Sequence, residues 1–127
     1  MTYEAEITAA LAVMHEHIDA LNARDESRIA ATLHFPHFRL SGATLKNWQT
    51  PDSYFADFRA RAGTNWARSC FEDIRVVQAS ENKVHLDAEI NRFDAGGTCI
   101  SQFRSLWVIT LEAGRWAAKF RSSFAAQ

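Results

Sequence analysis

His17 is the residue whose type and position best suit chemistry at a pocket. It follows Met14 by three residues and precedes Leu21 by four, at the edge of the apolar stripe of a long N-terminal helix. An imidazole can exchange a proton near neutral pH or hydrogen-bond a ligand. The alternative is a half-buried helix histidine with no chemical role. We take His17 as the candidate catalytic residue.

Ionisable residues also alternate with apolar ones on a predicted strand. His85, Asp87 and Glu89 share one face, and paired carboxylates suit acid–base chemistry. The residues of the other parity, from Val84 to Ile90, are all apolar and have the better claim to the interior. We therefore expect the carboxylates on the outer face of the sheet, at solvent or at a dimer contact.

The chain offers only weak candidates for metal ligands. His34 and His37 form an H-x-x-H pair, but Pro36 lies between them and prevents one helix face from carrying both. Cys70 and Cys99 form no metal or redox motif. We expect neither a metal nor a cofactor.

Composition excludes several classes of function. The chain has 127 residues, enough for one domain with a core, and its formal net charge is −1. That charge gives no reason to expect binding to nucleic acid or to an anionic membrane. No apolar run approaches the ~20 residues that span a bilayer, and the acidic Glu4 and Glu6 do not suit a signal peptide. We expect a cytoplasmic protein.

The elements that must position these side chains follow from periodicity and capping. Asp25 is a good N-cap for a second helix, Thr50 starts a third, and Gly63 ends it. Pro36 is expected to stop the second helix. The predicted helices are 4–23, 26–33 and 51–62, and the predicted strands are 35–41, 44–49, 67–79, 83–93, 98–111 and 115–124.

This order of elements predicts an α+β architecture. Three early helices, with a hairpin before the third, precede four successive antiparallel strands. A twisted sheet of about six strands would curl around the helices and leave a cavity at its open end. Such a cavity is a usual place for a small molecule.

Several short motifs give the chain a family resemblance. Residues 20–25 read Ala-Leu-Asn-Ala-Arg-Asp, Ile29 and Leu33 follow, Thr-Pro-Asp stands at 50–52, and Gly-Arg-Trp at 114–116 closes the last hairpin. In these motifs and in element order over the whole chain, the protein resembles the nuclear transport factor two-like superfamily, which includes SnoaL-like polyketide cyclases and ketosteroid isomerases. The resemblance implies one SnoaL-like domain over residues 1–127. Its fold would be a cone-shaped barrel, with a strongly curved antiparallel sheet wrapped around three N-terminal helices.

The same resemblance constrains the chemistry. Ketosteroid isomerases use a tyrosine on the first helix, an aspartate base on the first strand and a protonated aspartate on a later strand. Matched to this sequence, the tyrosine position falls on His17, the base near Gly42, and the second acid near Ser105 or Leu106. None of these positions carries the residue type that the isomerases use, so we do not expect steroid isomerisation by that mechanism. A similar pocket with different chemistry stays open, because fold does not fix function.

A small hydrophobic or cyclic molecule is the partner we expect in this pocket. Aromatic residues around the hairpin and the third helix suit such a ligand, although ordinary core packing is the alternative for them. An arginine at the cone mouth could bind a carboxylate or phosphate, or serve only in surface salt bridges. The expected ligand-binding residues are Met14, Leu40, Trp48, Tyr54, Phe58, Ile90, Arg92 and Arg104.

Two functions fit these expectations. The first is a small-molecule-binding protein of the SnoaL-like type, acting as a lyase, isomerase or cyclase through acid–base chemistry at His17. The second is a non-catalytic ligand-binding or dimerisation module. In either case we expect a homodimer formed through the sheet, because Trp107 and Ile109 share one parity on an amphipathic strand.

Overall fold

The computed structural model describes residues 2–61 and 65–124, and within them the chain forms three helices and a curved six-stranded sheet. The α+β prediction is confirmed. The helices are α1 Glu4–Ala23, α2 Glu26–Ala31 and α3 Pro51–Arg61. The strands are β1 Leu33–Ser41, β2 Thr44–Trp48, β3 Arg68–Ala79, β4 Lys83–Phe93, β5 Cys99–Glu112 and β6 Arg115–Ser123.

The sheet has the strand order β2-β1-β6-β5-β4-β3. Neighbouring strands pair antiparallel except β1 and β6, which pair in parallel. The sheet is therefore open, with β2 and β3 at its edges. Helix α1 packs across strands β3 to β6 on the inner face.

The Ala-Leu-Asn-Ala-Arg-Asp motif joins the end of α1 to the start of β3. The Asn22 side chain donates to the Ser69 carbonyl and accepts from the Ser69 amide, both at 2.8 Å. Arg24 donates to the Ala67 carbonyl at 2.9 Å, and its guanidinium lies 4.5 Å from the ring centre of Trp66. Asp25 then caps α2, as predicted, by accepting from the Arg28 amide at 3.1 Å. The motif thus fixes the angle between α1 and the edge of the sheet.

The predicted end of α2 at residue 33 is wrong, because the helix ends at Ala31. The Thr32 hydroxyl donates back to the Ile29 carbonyl at 2.6 Å, while the Thr32 carbonyl accepts from the Ala118 amide of β6 at 2.8 Å. Leu33 is already a strand residue, 1% exposed in the core. Pairing with a distant strand therefore overrides the helical pattern that sequence periodicity favours.

Helix α3 begins as predicted. The Ser53 amide donates to the Thr50 hydroxyl at 3.2 Å, which satisfies a free donor of the first turn. The predicted end of this helix at Ala62 and Gly63 lies outside the described residues. Within the described residues, no helix combines the length and apolar character needed to span a membrane.

The inner face of β4 follows the predicted alternation. Val84, Leu86 and Ala88 are fully buried, whereas Asp87 and Glu89 on the other parity are only half-buried. Strand β5 places Trp107 and Ile109 in the same core, at 1% and 0% exposure. The dimer argument based on these two residues is therefore wrong, because they face the helices and not the outside of the sheet.

Candidate functional site

A cavity of about 880 Å³ lies between the helices and the inner face of the sheet. Aromatic side chains form much of its wall, and they come from α3, from the segment before β3, and from strands β3 and β5. These aromatic residues are Tyr54, Phe58, Trp66, Phe71, Phe103 and Trp107. A cavity of this size and lining suits a small organic molecule.

Five of the nine predicted site residues line this cavity, and four do not. The five are His17, Tyr54, Phe58, Ile90 and Arg92. Their contact with a ligand stays a prediction. The four that lie elsewhere are Met14, Leu40, Trp48 and Arg104.

Met14 and Leu40 are apolar residues that the fold uses in other ways. Met14 is fully buried in the core between α1 and the sheet. Leu40 lies on the outer parity of β1, since its neighbours Arg39 and Ser41 line the cavity. On this strand the polar residues face inward, whereas apolar residues usually occupy the inner face of a sheet.

Trp48 stands behind the cavity wall and is 3% exposed. Its indole N–H donates to an Asp57 carboxylate oxygen at 2.8 Å, and its ring stacks on His37 with centroids 6.3 Å apart. The Arg39 guanidinium lies 5.2 Å from its ring centre. Trp48 therefore does not line the cavity itself but packs against Arg39, which does.

Arg104 lies on the outer face of the sheet, because β5 points Phe103 and Ser105 inward. Its guanidinium binds Asp87 at 2.7 Å and lies 3.6 Å and 3.8 Å from carboxylate oxygens of Asp73 and Glu89. The hydrogen bond from Arg104 lowers the pKa of Asp87. The expectation that Arg104 faces the pocket is wrong, and the alternative of a surface salt bridge is right.

His17 lines the cavity in one defined tautomer. Its Nδ1 lies 2.7 Å from the Thr32 hydroxyl, which itself donates its one proton to the Ile29 carbonyl. Both contacts are satisfied when Nδ1–H donates to the hydroxyl oxygen, which assigns the proton to Nδ1. The neutral ring then keeps an acceptor lone pair on Nε2. The ring also meets Trp107 edge-on at 5.1 Å.

The pKa of His17 is lowered to about 3, mainly by burial and then by the nearby positive charge of Arg121 and by the His37 ring. His17 is therefore neutral at physiological pH. A base of such low pKa removes protons weakly near pH 7. The acid–base role expected from the sequence stays a prediction, and the surroundings favour hydrogen bonding.

His37 lies behind the wall with the same electrostatic character. It is fully buried, and its Nδ1 lies 3.0 Å from the Ala118 carbonyl, to which it donates. Burial, followed by the charge of Arg121, lowers its pKa to about 3. Burial therefore keeps both histidines neutral, and the positive charge of Arg121 lowers the pKa of each in the same direction.

Sequence reasoning missed two polar rows that cross β1, β6 and β5. Arg39 pairs with Arg121 in the parallel register of β1 and β6, and Arg121 pairs with Trp107 of β5. The next inward row has serines at positions 41, 123 and 105 on the same three strands. All six residues line the cavity. The signal in the sequence was the alternation of β1 itself, which put His37 and Arg39 on one face.

The charge of the cavity wall is strongly one-sided. Its described lining contains one acid, Glu26, whose carboxylate is held by Arg59 through two hydrogen bonds, one of them 2.7 Å long. The arginines of the lining are Arg24, Arg39, Arg59, Arg92 and Arg121. No group of three His, Cys, Asp or Glu suited to a metal ion occurs in the part of the chain that the structure describes.

Comparison with known proteins tests the fold directly. A protein with a cystatin-like fold from Nostoc punctiforme superimposes with a TM-score of 0.79 at 11% identity, over 96% of this chain and 92% of that one. An NTF2-like protein from Shewanella oneidensis gives 0.76 at 11% identity, over 93% and 98%. The chain has the nuclear transport factor two-like fold.

The same fold occurs in a proposed ketosteroid isomerase from Shewanella frigidimarina, with a TM-score of 0.70 at 13% identity over 91% of this chain and 94% of that one. The sequence matches no family model and no curated protein. At such low identities the nuclear transport factor two-like likeness concerns architecture, so function must be argued from the cavity.

Proposed function

We propose that the protein binds a small cyclic organic molecule in the cavity between its helices and the sheet. The observation that carries this proposal is the cavity of about 880 Å³ with aromatic walls and polar groups concentrated on β1, β5 and β6. Aromatic walls give large contact area to a flat ligand, and a few fixed polar groups orient it.

Proteins of the same fold supply a second line of support. One is the proposed ketosteroid isomerase, and another is a proposed aromatic ring hydroxylase from Novosphingobium aromaticivorans, with a TM-score of 0.70 at 13% identity over 91% of this chain and 85% of that one. Both descriptions name a cyclic substrate. A cyclic ligand therefore fits both this cavity and the activities proposed for these two proteins.

His17 serves this function as a hydrogen-bond acceptor. Its Nδ1–H is engaged by Thr32, so Nε2 is the nitrogen that can accept from a ligand hydroxyl or amine. Its pKa of about 3 leaves it neutral, which suits this role better than proton transfer. Because His17 is a weak base, a lyase, isomerase or cyclase reaction at this site would depend mainly on the reactivity of the ligand itself.

A screen of neutral and charged cyclic fragments by ligand-observed NMR tests the proposal. Ser101→Trp would fill part of the cavity, since Ser101 lines it, whereas Gln102→Trp adds the same ring to the exposed parity of β5. We expect fragments that bind the natural protein and Gln102→Trp but lose binding in Ser101→Trp. If every fragment binds the two variants alike, the cavity is not the site.

We also propose that the outer face of the sheet forms a homodimer. Half-buried apolar residues lie side by side on β1, β6 and β5, in register across the three strands: Phe38, Leu40, Phe120, Leu106 and Val108. Contiguous apolar surface of this kind marks protein interfaces. Sedimentation should give a dimer, and Val108→Glu should shift it to monomer while Thr110→Glu, on the same parity but towards the end of β5, changes it less. A natural protein that sediments only as monomer at micromolar concentration contradicts this proposal.

A further inference from the structure

We propose that the end of the cavity around Arg121 is an anion subsite, and that the ligand is an aromatic or alicyclic acid with its carboxylate held there. This inference rests on the proposed function and specifies the ligand's charge. It is carried by the arrangement of Arg121, Trp107 and Ser105 on the neighbouring strands β5 and β6.

Arg121 has a second arginine of the cavity lining as its neighbour. Arg39 and Arg121 are direct neighbours in the parallel pairing of β1 and β6, and both line the cavity. Like charges opposite each other on adjacent strands destabilise a sheet. The charge of Arg39 lies in the same row, so it adds to the attraction of an anion that Arg121 holds.

Arg121 has unused hydrogen-bonding capacity at this place. Its Nε is buried and has no hydrogen-bond partner among the described residues. Its guanidinium carbon lies 5.1 Å from the ring centre of Trp107, which supports the planar group from one side. A planar guanidinium held in this way offers paired N–H donors that match the two oxygens of a carboxylate.

Hydroxyl groups lie next to the arginine row. Ser105 and Ser123 pair across β5 and β6, and they are 2% and 7% exposed. The indole N–H of Trp107 donates to the Ser105 oxygen at 2.9 Å, so the Ser105 hydroxyl keeps its own proton for another acceptor. The anion subsite thus combines a charged donor with a neutral one.

The field in the cavity has the sign that an acid requires. The whole chain carries a net charge of −1, yet the described lining holds five arginines against Glu26, which is already bound by Arg59. A cleft lined by one sign of charge concentrates ligands of the opposite sign. His17 is neutral, so it adds no charge of its own to this field.

Isothermal titration with 2-naphthoate and 2-naphthalenemethanol tests the inference, because the two probes share a ring system and differ in charge. We expect the acid to bind at least about ten-fold more tightly than the alcohol at low salt, and this preference to shrink as ionic strength rises. Inorganic phosphate should compete with the acid and leave the alcohol unaffected.

Variants separate the subsite from the rest of the cavity. Arg121→Met should weaken the acid about ten-fold or more and change the alcohol less than about two-fold. Arg121→Lys should restore part of the acid preference, since it restores the charge without the planar group. Arg75→Met is the matched control, because Arg75 is exposed on β3 and pairs with Asp87 outside the cavity.

The outcomes distinguish this inference from the proposed function. Equal affinities for the two probes, or equal loss of both in Arg121→Met, would overturn the anion subsite while leaving a ligand-binding cavity in place. If neither probe binds and no fragment shows the Ser101→Trp effect, the proposed function itself fails. Acid preference that survives Arg121→Met but disappears in Arg75→Met would place the anion on the outer surface and also overturn the inference.

Discussion

Strands β4 and β1 belong to the same sheet and bury their inner faces to a similar degree, but with opposite chemistry. Val84, Leu86 and Ala88 on β4 are 0% exposed. His37 and Arg39 on β1 are 0% and 8% exposed. The β4 row packs into the apolar core beneath α1, whereas the inner side of β1 borders the cavity. Burial alone therefore does not tell core from site.

This contrast assigns different tasks to the two regions. An apolar row stabilises the fold through surface removed from water. A buried row that contains arginines costs desolvation energy, so it stabilises the fold less than an apolar row does. Departures from local rules of this kind are typical of functional sites.

The largest effect should come from truncating the apolar row. Leu86→Ala should lower the free energy of unfolding by about 2–5 kcal/mol, because it removes a fully buried side chain and leaves a cavity. Arg121→Met should change it by less than about 1 kcal/mol, since the lost cation–π contact is offset by relief of charge repulsion. Urea denaturation measures both. Equal losses would show that the arginine row is structural and would remove the contrast.

The next largest effect should come from acidification, which lowers the stability of the folded protein through His17 and His37. His17 and His37 have folded pKa values of about 3 against an ordinary 6.5, so the unfolded chain binds their protons first. Stability is therefore fully present above pH 6.5 and falls as the pH drops towards 3, by up to about 1.4 kcal/mol per pH unit for each histidine.

Melting temperatures measured between pH 7 and pH 4 check this dependence. His17→Gln should flatten the slope, because it removes one group that must charge on unfolding. His15→Gln is the control, since His15 is exposed on the same helix. Identical slopes in the natural protein and His17→Gln would show that His17 is charged or solvated in the folded state.

Loss of the α1–β3 connection should have a moderate effect. Asn22→Ala removes two 2.8 Å hydrogen bonds to the Ser69 backbone and should cost about 1–3 kcal/mol of unfolding free energy. Asn47→Ala, at an exposed position of β2, should cost far less. Because Ser69 lines the cavity, Asn22→Ala should also weaken ligand binding, and intact binding would show that this wall is held by other contacts.

The elements with strong local signals were predictable from the sequence. The long amphipathic stripe of α1 and the alternation of β4 gave the observed bounds, Glu4–Ala23 and Lys83–Phe93. Leu33 was placed in a helix because its pairing partner, Ala118, lies far along the chain and leaves no local signal. Non-local pairing is what single-sequence periodicity cannot detect.

The site was less predictable for a related reason. Alternation says which residues share a face, but on β1 the choice of Leu40 followed the rule that apolar residues face inward, and the structure places Arg39 there. His17 and Tyr54 were found because helix position and aromatic type both pointed to the pocket. Arg121 had no such signal, since its importance comes from Arg39 and Trp107 on neighbouring strands.

The smallest effect is expected at the two arginines that sequence analysis placed together at the cone mouth. It tests most directly which face of the sheet each of them occupies. Arg92 lines the cavity, whereas Arg104 binds Asp87 on the outer face. Arg92→Gln should weaken 2-naphthoate by a few-fold, because it removes one lining charge of several. Arg104→Gln should leave that affinity unchanged and lower the melting temperature slightly, by an amount that disappears at high salt because exposed ion pairs are screened. A selective loss of the acid in Arg104→Gln would mean that charge on either face steers the ligand, and the contrast between inner and outer rows would then explain stability but not recognition.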